Sequence, residues 1–413
     1  MMLTERVRAV RDALVAAEDT VCLDRAILAT EAWREHEDDP PPLRRAQVFA
    51  HVLRHMHLDV CSNPVFAGNT ASRPRAWMLI PEHGFSHDAQ VAFEHPELAA
   101  ILDGQVPRDL HDFWRERSFG GGSGIGHLAV DLEAVVHCGL AALIAEAQAH
   151  ASEGTEERQL YRRSMCLALQ AVIDWAGRYA RAAEAAAQDA TDPWLRDAHL
   201  RVAGACRQVP AHPARDLFEG LQAIALVQLA IAIEGHGMSV SIGLPDRALA
   251  PFLCAAFDPA EGTALAAAFM LKIAANSILG RGYKSLTITV GGADHLGLDC
   301  SNPLTMCFLE AANLLRLGDP PVFLRWHAGL APRVKRRASE LLCNGLSMPL
   351  LVNDLPTAAG FAGVGVTPED AWEYCVIGCN ELGIPGRSME SATALAGNLQ
   401  YLELLNQVLL ELP

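Results

Sequence analysis

The sequence predicts an α/β fold in which a mainly helical part, residues 1–236, precedes a part, residues 237–413, where strands and helices alternate. In the first part, apolar residues recur at helical spacing through a series of long segments. In the second part, short β-prone runs alternate with helical stretches, which favours parallel strands buried inside the fold and able to curve into a barrel. The length of 413 residues allows two or three domains, but no linker, low-complexity tract or repeat divides the chain. We therefore expect one domain over residues 1–413.

Each element has its own local signal in apolar spacing and in the Pro and Gly residues that flank it. The expected helices of the first part are 3–17, 22–37, 43–57, 131–151, 156–186, 193–207 and 215–234. The expected strands of the second part are 286–290, 322–326, 348–352 and 374–377, with helices at 258–277, 303–317, 332–343 and 367–373.

The last expected helix, residues 399–412, is apolar on nearly every side and should therefore be buried on every side. A partial set of barrel strands would also leave an open sheet edge. Both features predict a companion, which is either another chain or a large self-association.

The composition excludes several classes of partner and location. A formal net charge of −16 argues against nucleic-acid and anionic-membrane partners, which reward a basic surface. The first residues are charged and do not form a secretory signal, and the longest apolar run, 221–233, is too short to cross a bilayer and is expected to be a buried helix. Eleven cysteines without paired spacing favour a reducing cytoplasm over a disulfide framework.

Two local patterns suggest ligand sites only weakly. His51 and His55 lie one helical turn apart, but no carboxylate or cysteine in the sequence pattern completes a metal set, so no metal is expected. The glycine cluster 120–126 precedes a helix, yet it lacks the Lys-Ser/Thr that ends a phosphate-binding loop. A closely packed loop that presents His127 at its end fits these residues better.

The strongest chemical pattern is the stretch 374–381. A short buried strand ends at Gly378, where the chain can turn, and Cys379 and Glu381 follow. Residues two apart on an extended segment face the same side, so the thiol and the carboxylate can reach one small volume. The alternative is a buried cysteine beside a solvated acid, which is the commoner meaning of an isolated Cys-x-Glu triplet.

Several motifs, taken in order, make the chain resemble the pyruvate formate-lyase-like catalytic domain of glycyl radical enzymes. They are Asp24-Arg25-Ala26, Thr30-Glu31, Arg44-Arg45-Ala46, Gly68-Asn69, Pro81-Glu82, Gly126-His127, residues 234–243 with Ser239 and Ser241, residues 291–305, and Gly378-Cys379-Asn380-Glu381. The last of them matches the Gly-Cys-x-Glu loop of the dehydratase, decarboxylase and lyase branches, whereas pyruvate formate-lyase itself has adjacent cysteines. The resemblance spans essentially the whole chain and implies about half of a ten-stranded α/β barrel.

The resemblance also implies roles for individual residues. Cys379 would become a thiyl radical that abstracts hydrogen from a small substrate, and its thiol should be neutral and shielded from water. Glu381 would be the general base for a substrate hydroxyl. Further substrate-binding positions follow from the same alignment of motifs, and they are His127, Ser239, Met238, Thr393 and Asn380.

Some positions differ from the pattern of the polyol dehydratases that the chain resembles. Met238 stands where those enzymes have a histidine, Thr393 where a second pocket acid is expected, and Leu244 in place of an arginine. A simple polyol is therefore not expected as the substrate. The Arg-Val-x-Gly-Tyr-like loop that carries the radical glycine in the family is also missing from residues 1–413.

Three interpretations remain open at this point. In the first, the chain is one subunit of a split glycyl radical enzyme and binds no cofactor itself. A second subunit then supplies the remaining strands and the radical glycine, after activation by a radical SAM enzyme. In the second, it is a non-radical relative, either a binding or regulatory protein or an enzyme that uses Cys379 and Glu381 in acid–base or nucleophilic chemistry. In the third, it is a truncated remnant.

Overall fold

Helices form most of the first part of the chain in the computed structural model, which describes residues 3–83, 106–117, 126–235, 239–275 and 286–388. The helices of this part are α1 (Leu3–Ala16), α2 (Asp24–Glu35), α3 (Pro41–His55), α4 (Arg108–Arg115), α5 (Leu132–Cys138), α6 (Leu140–Ala149), α7 (Glu156–Asp189), α8 (Pro193–Gln208) and α9 (Leu217–Gly235). Short strands β1 (Thr20–Cys22) and β2 (Ala76–Met78) form a parallel pair that the sequence did not predict. Helix α4 was not predicted either.

Polar caps set the ends of the long helices. The side chain of Thr155 accepts a hydrogen bond from the N–H of Arg158 at the start of α7, and Asp192 caps α8 with Pro193 as its first residue. The single helix expected over 131–151 is instead two helices, α5 and α6, which meet at an angle of 94°. Gly139 separates them with φ +79°, and a Cβ there would lie 2.5 Å from the carbonyl oxygen of Ala211.

Helix α9 is the central helix of the core. It has 19 residues, close to the expected helix over 215–234, and by length and composition alone it could cross a membrane. However, 78% of its most apolar stretch is buried inside the protein, in agreement with the prediction of a buried helix. Gln222 and Gln228 are buried too and bond to backbone groups, Gln222 to Ala67 and Gln228 to Val240.

The second part of the chain alternates strands and helices, as predicted. Its elements are β4 (Val240–Ser241), α10 (Pro245–Ala248), α11 (Pro259–Ala274), β5 (Ile288–Gly291), α12 (Pro303–Leu315), β6 (Val322–Trp326), α13 (Pro332–Cys343), β7 (Leu350–Asn353), α14 (Asp354–Gly363), α15 (Pro368–Ala371), β8 (Cys375–Ile377) and β9 (Glu381–Gly383). Strands β4 and β9 and helices α10 and α14 were not predicted. The expected helix over 399–412 lies outside the described residues.

The main strands pair in parallel, in agreement with the predicted partial barrel. Strand β3 (Leu128–Ala129) pairs with β4, and β5, β6 and β7 pair in that order, all in parallel. A parallel bridge between Gly243 and Ile288 links the two groups. The wall of the fold is therefore five neighbouring parallel strands in the order β3-β4-β5-β6-β7, which we call the parallel wall.

Strand β8 does not belong to the parallel wall. It pairs with β9 in an antiparallel hairpin, with Cys375 opposite Gly383 and Ile377 opposite Glu381. Cys375 and Ile377 pack with Ala129 of β3 in a small apolar cluster. The prediction of a short buried strand before Gly378 is confirmed, but the strand is a hairpin arm laid against the wall.

Candidate functional site

Three hydroxyl groups of the parallel wall hold the hairpin in place. The hydroxyl of Thr289 accepts a hydrogen bond from the N–H of Val376 at 3.0 Å, and that of Ser241 accepts one from the N–H of Gly378 at 3.0 Å. Thr287 donates its hydroxyl to the carbonyl of Gly378 at 2.6 Å. All three are fully buried, so these bonds form away from water. We call Ser241, Thr287 and Thr289 the hydroxyl anchors.

Gly378 allows the chain to turn at the end of β8. Its φ is +56°, a conformation that residues with a side chain rarely adopt. A Cβ at this position would lie 2.8 Å from the Ser239 hydroxyl oxygen and 2.9 Å from Oε2 of Glu381. The backbone of the turn therefore lies directly against two of the predicted site residues, and only glycine leaves room for both.

Glu381 begins the second hairpin arm and points back towards β3. Its Oε1 lies 3.0 Å from Nδ1 of His127, and its Oε2 accepts a hydrogen bond from the N–H of Asn380 at 3.2 Å. The His127 and Glu381 side chains are 23% and 22% exposed, so the pair is half-buried and accessible to a small molecule. A carboxylate bonded to an imidazole can accept and return a proton, as general acid–base chemistry requires.

The structure thus brings together four predicted site residues around one turn. His127, Ser239, Asn380 and Glu381 all lie at or beside the Gly378 turn, on which Cys379 also lies. Met238 and Thr393, also predicted to line the pocket, lie outside the described residues. His127 and Ser239 have φ values of +54° and +56°, an uncommon conformation for residues with a side chain, so each is held at the turn in a specific backbone geometry.

The position of this turn differs from the expected one. In parallel barrels the loops that carry the chemistry leave the carboxyl ends of the strands, so the sequence, in which Cys379 follows the strand 374–377, predicts that end for the turn. In the structure, the residues that contact the turn, His127, Ser239 and Thr287, each precede a wall strand, so the turn lies at the amino ends of β3, β4 and β5. The reason is that β8 runs opposite to β5, because Val376 bonds to Thr289 and the later residue Gly378 bonds to the earlier Thr287.

The carboxyl ends of the same strands border a separate cleft. It is lined by acidic and basic side chains together with apolar ones, and among the described residues none of the predicted site residues contributes to it. The lining includes Val130, Asp131, Leu244, Arg247, Glu373 and Arg387.

Cys379 is exposed, which corrects the expectation that this chain keeps the thiol dry. The hairpin arm 375–377 is buried, whereas the tip, Cys379 with Asn380, lies beyond the hydroxyl anchors and is exposed to solvent. Cys375, at the base of the hairpin, is fully buried, and burial raises the pKa of its thiol from 9.0 to about 12. Cys375 is therefore a packing residue.

A buried ion pair below the hairpin was missed by sequence reasoning. Arg325 bonds through Nε to Asp354 at 2.7 Å, and both side chains are fully buried. The guanidinium lies over the ring of Tyr374, donates to the carbonyls of Trp372 and Tyr374, and Tyr374 donates its hydroxyl to Asp354 at 2.6 Å. An arginine inside the apolar strand 322–326 was the available signal, because a charge there must have a buried partner.

The histidine pair singled out in the sequence lies in helix α3. The rings of His51 and His55 are tilted to each other with their centres 4.4 Å apart, and Glu31 approaches His51 at 3.7 Å. Within the described ranges, no group of three or more His, Cys, Asp or Glu side chains has the arrangement of a metal site.

Comparison with known proteins identifies relatives over nearly the whole chain. The model of the family described as pyruvate formate lyase-like matches residues 2–409. The (2S)-3-sulfopropanediol dehydratase of Klebsiella oxytoca is 27% identical, over 92% of this chain and 53% of that enzyme. The probable dehydratase YbiW of Escherichia coli K12 is also 27% identical, over 93% of this chain and 54% of that protein.

Solved structures share the fold. A 1,2-propanediol-dehydrating protein from Roseburia inulinivorans superposes with a TM-score of 0.84 at 23% identity, over 92% of this chain and 54% of its own. The hydroxyproline dehydratase of Clostridioides difficile superposes with a TM-score of 0.85 at 20% identity, over 93% and 56%. The chain therefore spans about half the length of the curated relatives it matches.

Proposed function

The chain belongs to the pyruvate formate lyase-like family of glycyl radical enzymes, and we propose that it is the thiol-bearing subunit of a split radical lyase or dehydratase. As a thiyl radical, Cys379 abstracts a hydrogen atom from a small substrate, and Glu381 is the general base that takes the substrate's proton. Elimination or cleavage of a C–C or C–X bond then releases the leaving group, and the product radical takes the hydrogen atom back from the Cys379 thiol. A second polypeptide supplies the remaining barrel strands and the radical glycine. A radical SAM activating enzyme generates that radical, and the complex works in a reducing cytoplasm, which suits eleven free cysteines.

One observation carries this proposal. The Gly-Cys-x-Glu turn is fixed from below by the hydroxyl anchors and from the side by the 3.0 Å contact between Glu381 and His127. Residues that must act on one substrate are thereby held in register on a rigid wall, with the thiol on the same turn as the base. A decayed relative has no need to keep the glycine, the thiol, the acid and the supporting hydroxyls together.

The residues present fit a radical supplied from outside this chain. Cys379 is at the exposed tip of the hairpin, where a group on another polypeptide can reach it, and the buried Cys375 is unreachable. A glycyl radical on that polypeptide would supply the hydrogen-atom acceptor that converts the Cys379 thiol into a thiyl radical. The partner then also encloses the thiol, which this chain by itself leaves exposed.

Proton movement at the site follows from the hydrogen bonds. A carbon radical next to a hydroxyl makes that hydroxyl more acidic, so Glu381 takes the proton at Oε1 or Oε2. His127 Nδ1 lies on the Oε1 side and orients the carboxylate, and the N–H of Asn380 holds Oε2. Ser239, packed against the turn, positions Gly378 and forms part of the pocket wall.

A second function is favoured by the exposure of Cys379. A thiol open to solvent beside a histidine–carboxylate pair suits a non-radical enzyme or a binding protein as well. Nucleophilic use, however, needs a base that contacts the sulfur, and among the described residues His127 bonds to Glu381 and not to Cys379.

The test is turnover in the activated complex with the substrates named for the relatives: (2S)-3-sulfopropanediol, isethionate and trans-4-hydroxy-L-proline. We expect Cys379→Ala to reduce turnover to background and Glu381→Gln to reduce kcat by about 10²–10⁴-fold. Cys375→Ala is the matched control, since it removes a thiol from the same hairpin and should retain turnover. Substantial turnover by Cys379→Ala contradicts the thiyl role.

A further inference from the structure

Strand β7 differs from the other wall strands in its exposure. Parallel sheets are normally buried on both faces, and β5 is buried at every residue while β6 is buried at all but its last. In β7, Leu350 is 41% and Leu351 is 49% exposed. Successive strand residues point to opposite faces, so both faces of β7 are uncovered.

The free side of β7 is also open. Among the described residues it pairs with β6 alone, so one row of its backbone N–H and C=O groups has no strand opposite it. Helix α14 follows β7 immediately, and its Leu355 is exposed as well, so the apolar surface continues past the strand. We call Leu350, Leu351 and Leu355, with this free strand side, the β7 edge.

Strand register shows which way each side chain faces. Leu350 is opposite Phe323, which is opposite Thr289, and paired residues of neighbouring strands point to the same face. Thr289 bonds to the hairpin, so Leu350 lies on the face that carries the Cys379 turn. Leu351 lies on the opposite face, with Leu324. A companion must therefore cover the face that carries the Cys379 turn, the opposite face and the free strand side of β7 at once.

We propose that the β7 edge is the docking site for the complementary half of the barrel, carried by a second polypeptide that adds a strand beside β7. The inference rests on the proposed function and names the place where its partner binds. A strand supplies the missing backbone hydrogen bonds, and its two faces extend the interior and the outer layer over Leu350 and Leu351.

The relatives support this occupant over a second copy of the chain. This chain covers only 53% and 54% of the length of two such relatives, so nearly half of each relative has no counterpart in residues 1–413. A second copy would bring a second Cys379 hairpin, and the radical-glycine loop is missing from its sequence as well. It would cover the edge without supplying what the site lacks.

The experiment begins with the tagged chain, recovered anaerobically from its native host. Mass spectrometry identifies the co-purified polypeptide, which is then produced separately as the probe for affinity measurements. We expect it to carry a pyruvate formate lyase-like segment and a glycine-radical loop. The double variant Leu350→Glu/Leu351→Glu should bind it at least ~100-fold more weakly, because two carboxylates would be buried against apolar surface.

The control is Leu200→Glu, which places one such carboxylate on a similarly exposed leucine, 51% exposed, in α8. It should bind like the wild type. In hydrogen exchange, the amides of 350–353 should become protected in the complex. Equal affinity of the double variant and the wild type, self-association through β7, or a monomer that recovers no such polypeptide each overturn the inference.

The two proposals can fail separately. If binding depends on the β7 edge but Cys379→Ala in the complex still turns over substrate, the radical function is wrong and the docking site stands. If the complex is active and loses activity with Cys379→Ala, yet binds equally well with Leu350→Glu/Leu351→Glu, the function stands and the partner docks elsewhere.

Discussion

Cys375 and Cys379 lie four residues apart on one hairpin and have opposite environments. Cys375 is fully buried between the hairpin and Ala129, next to the Arg325–Asp354 pair that supports Tyr374. Cys379 projects from the same hairpin into solvent. The base of the hairpin is completed by contacts within this chain, whereas its tip is fixed in position but uncovered.

The contrast separates two tasks that a radical site must perform. Holding a thiol and a base in register needs only the parallel wall, the hydroxyl anchors and Gly378, all of which this chain supplies. Excluding water needs a surface on the other side of the tip. The same division appears between β5 and β7, one buried on both faces and the other exposed on both. We propose that this chain positions the thiol and the base and that its partner encloses them.

The sharpest test of the contrast is thiol labelling. At pH 8 the raised pKa of Cys375, about 12, leaves a thiolate fraction of about 10⁻⁴, and its burial blocks the reagent. We therefore expect iodoacetamide to modify Cys379 at least about 10³-fold faster than Cys375 in the folded chain, as read from peptide masses. Comparable rates for the two thiols, without unfolding, would remove the distinction. In the partner complex, labelling of Cys379 should slow while that of Cys375 stays unchanged.

The base of the hairpin can be destabilised by removing the Arg325–Asp354 ion pair. Arg325→Met removes the partner of Asp354 and leaves a carboxylate buried without a countercharge. We expect a loss of about 3–5 kcal/mol in the free energy of unfolding, measured by urea titration. The control is Arg387→Met, whose ion pair with Asp370 involves a largely exposed arginine and should cost about 1 kcal/mol or less. A small effect of Arg325→Met would mean that the base depends on packing alone.

The connection between base and tip is tested at a hydroxyl anchor. Ser241→Ala leaves the N–H of Gly378 buried without an acceptor, at a cost of about 1–3 kcal/mol. We also expect faster hydrogen exchange at Gly378, because the turn is released from the wall. Ser339→Ala is the control, since that exposed hydroxyl bonds only within helix α13, and its effect should stay within about 0.5 kcal/mol. Unchanged exchange at Gly378 would show that the turn is held by other contacts.

Much of the fold could be predicted because it depends on local pattern. Helix α13 and strand β6 have the expected bounds, and the alternation after residue 237 does produce parallel strands. The bend at Gly139 was missed, because the apolar spacing continues through it and only the approach of Ala211 from a distant loop requires the glycine. Strand β8 was predicted, but its hairpin with β9 was missed, since the three residues of β9 have too little periodicity to be recognised.

The residues that lie around the Gly378 turn could be predicted from the sequence, but the place of the turn in the fold could not. Motif order named Cys379, Glu381, His127 and Ser239, and the structure places all four at or beside Gly378. Pattern could not show that β8 runs against the wall and places the turn at the amino ends of the strands, because strand direction is a tertiary property. Alternate hydroxyls at Ser239 and Ser241, and at Thr287 and Thr289, were a readable signal of a polar strand face with a buried partner.

The pH dependence of stability provides the finest comparison. A folded-state pKa raised from 9.0 to about 12 means that Cys375 contributes stability that is fully present below pH 9 and is lost as the pH rises towards 12. We expect Cys375→Ala to remove this contribution. The free energy of unfolding of the wild type, relative to that of the variant, should then fall by about 1.4 kcal/mol per pH unit above pH 9. Urea titrations at several values between pH 8 and pH 10.5 measure the difference.

Other buried groups titrate in the same range and do not disturb that difference. Burial lowers the pKa of Lys272 to about 8, which raises stability as the pH increases from 8 to 10.5, and it raises the pKa of the Cys206 thiol to about 12. Both residues are present in wild type and variant, so their contributions cancel. Cys206→Ala should reproduce the Cys375→Ala slope at an unrelated site. If Cys375→Ala leaves the dependence of the unfolding free energy on pH unchanged, the Cys375 thiol is not held neutral by burial. Cys375 and Cys379 would then differ only in their exposure to solvent.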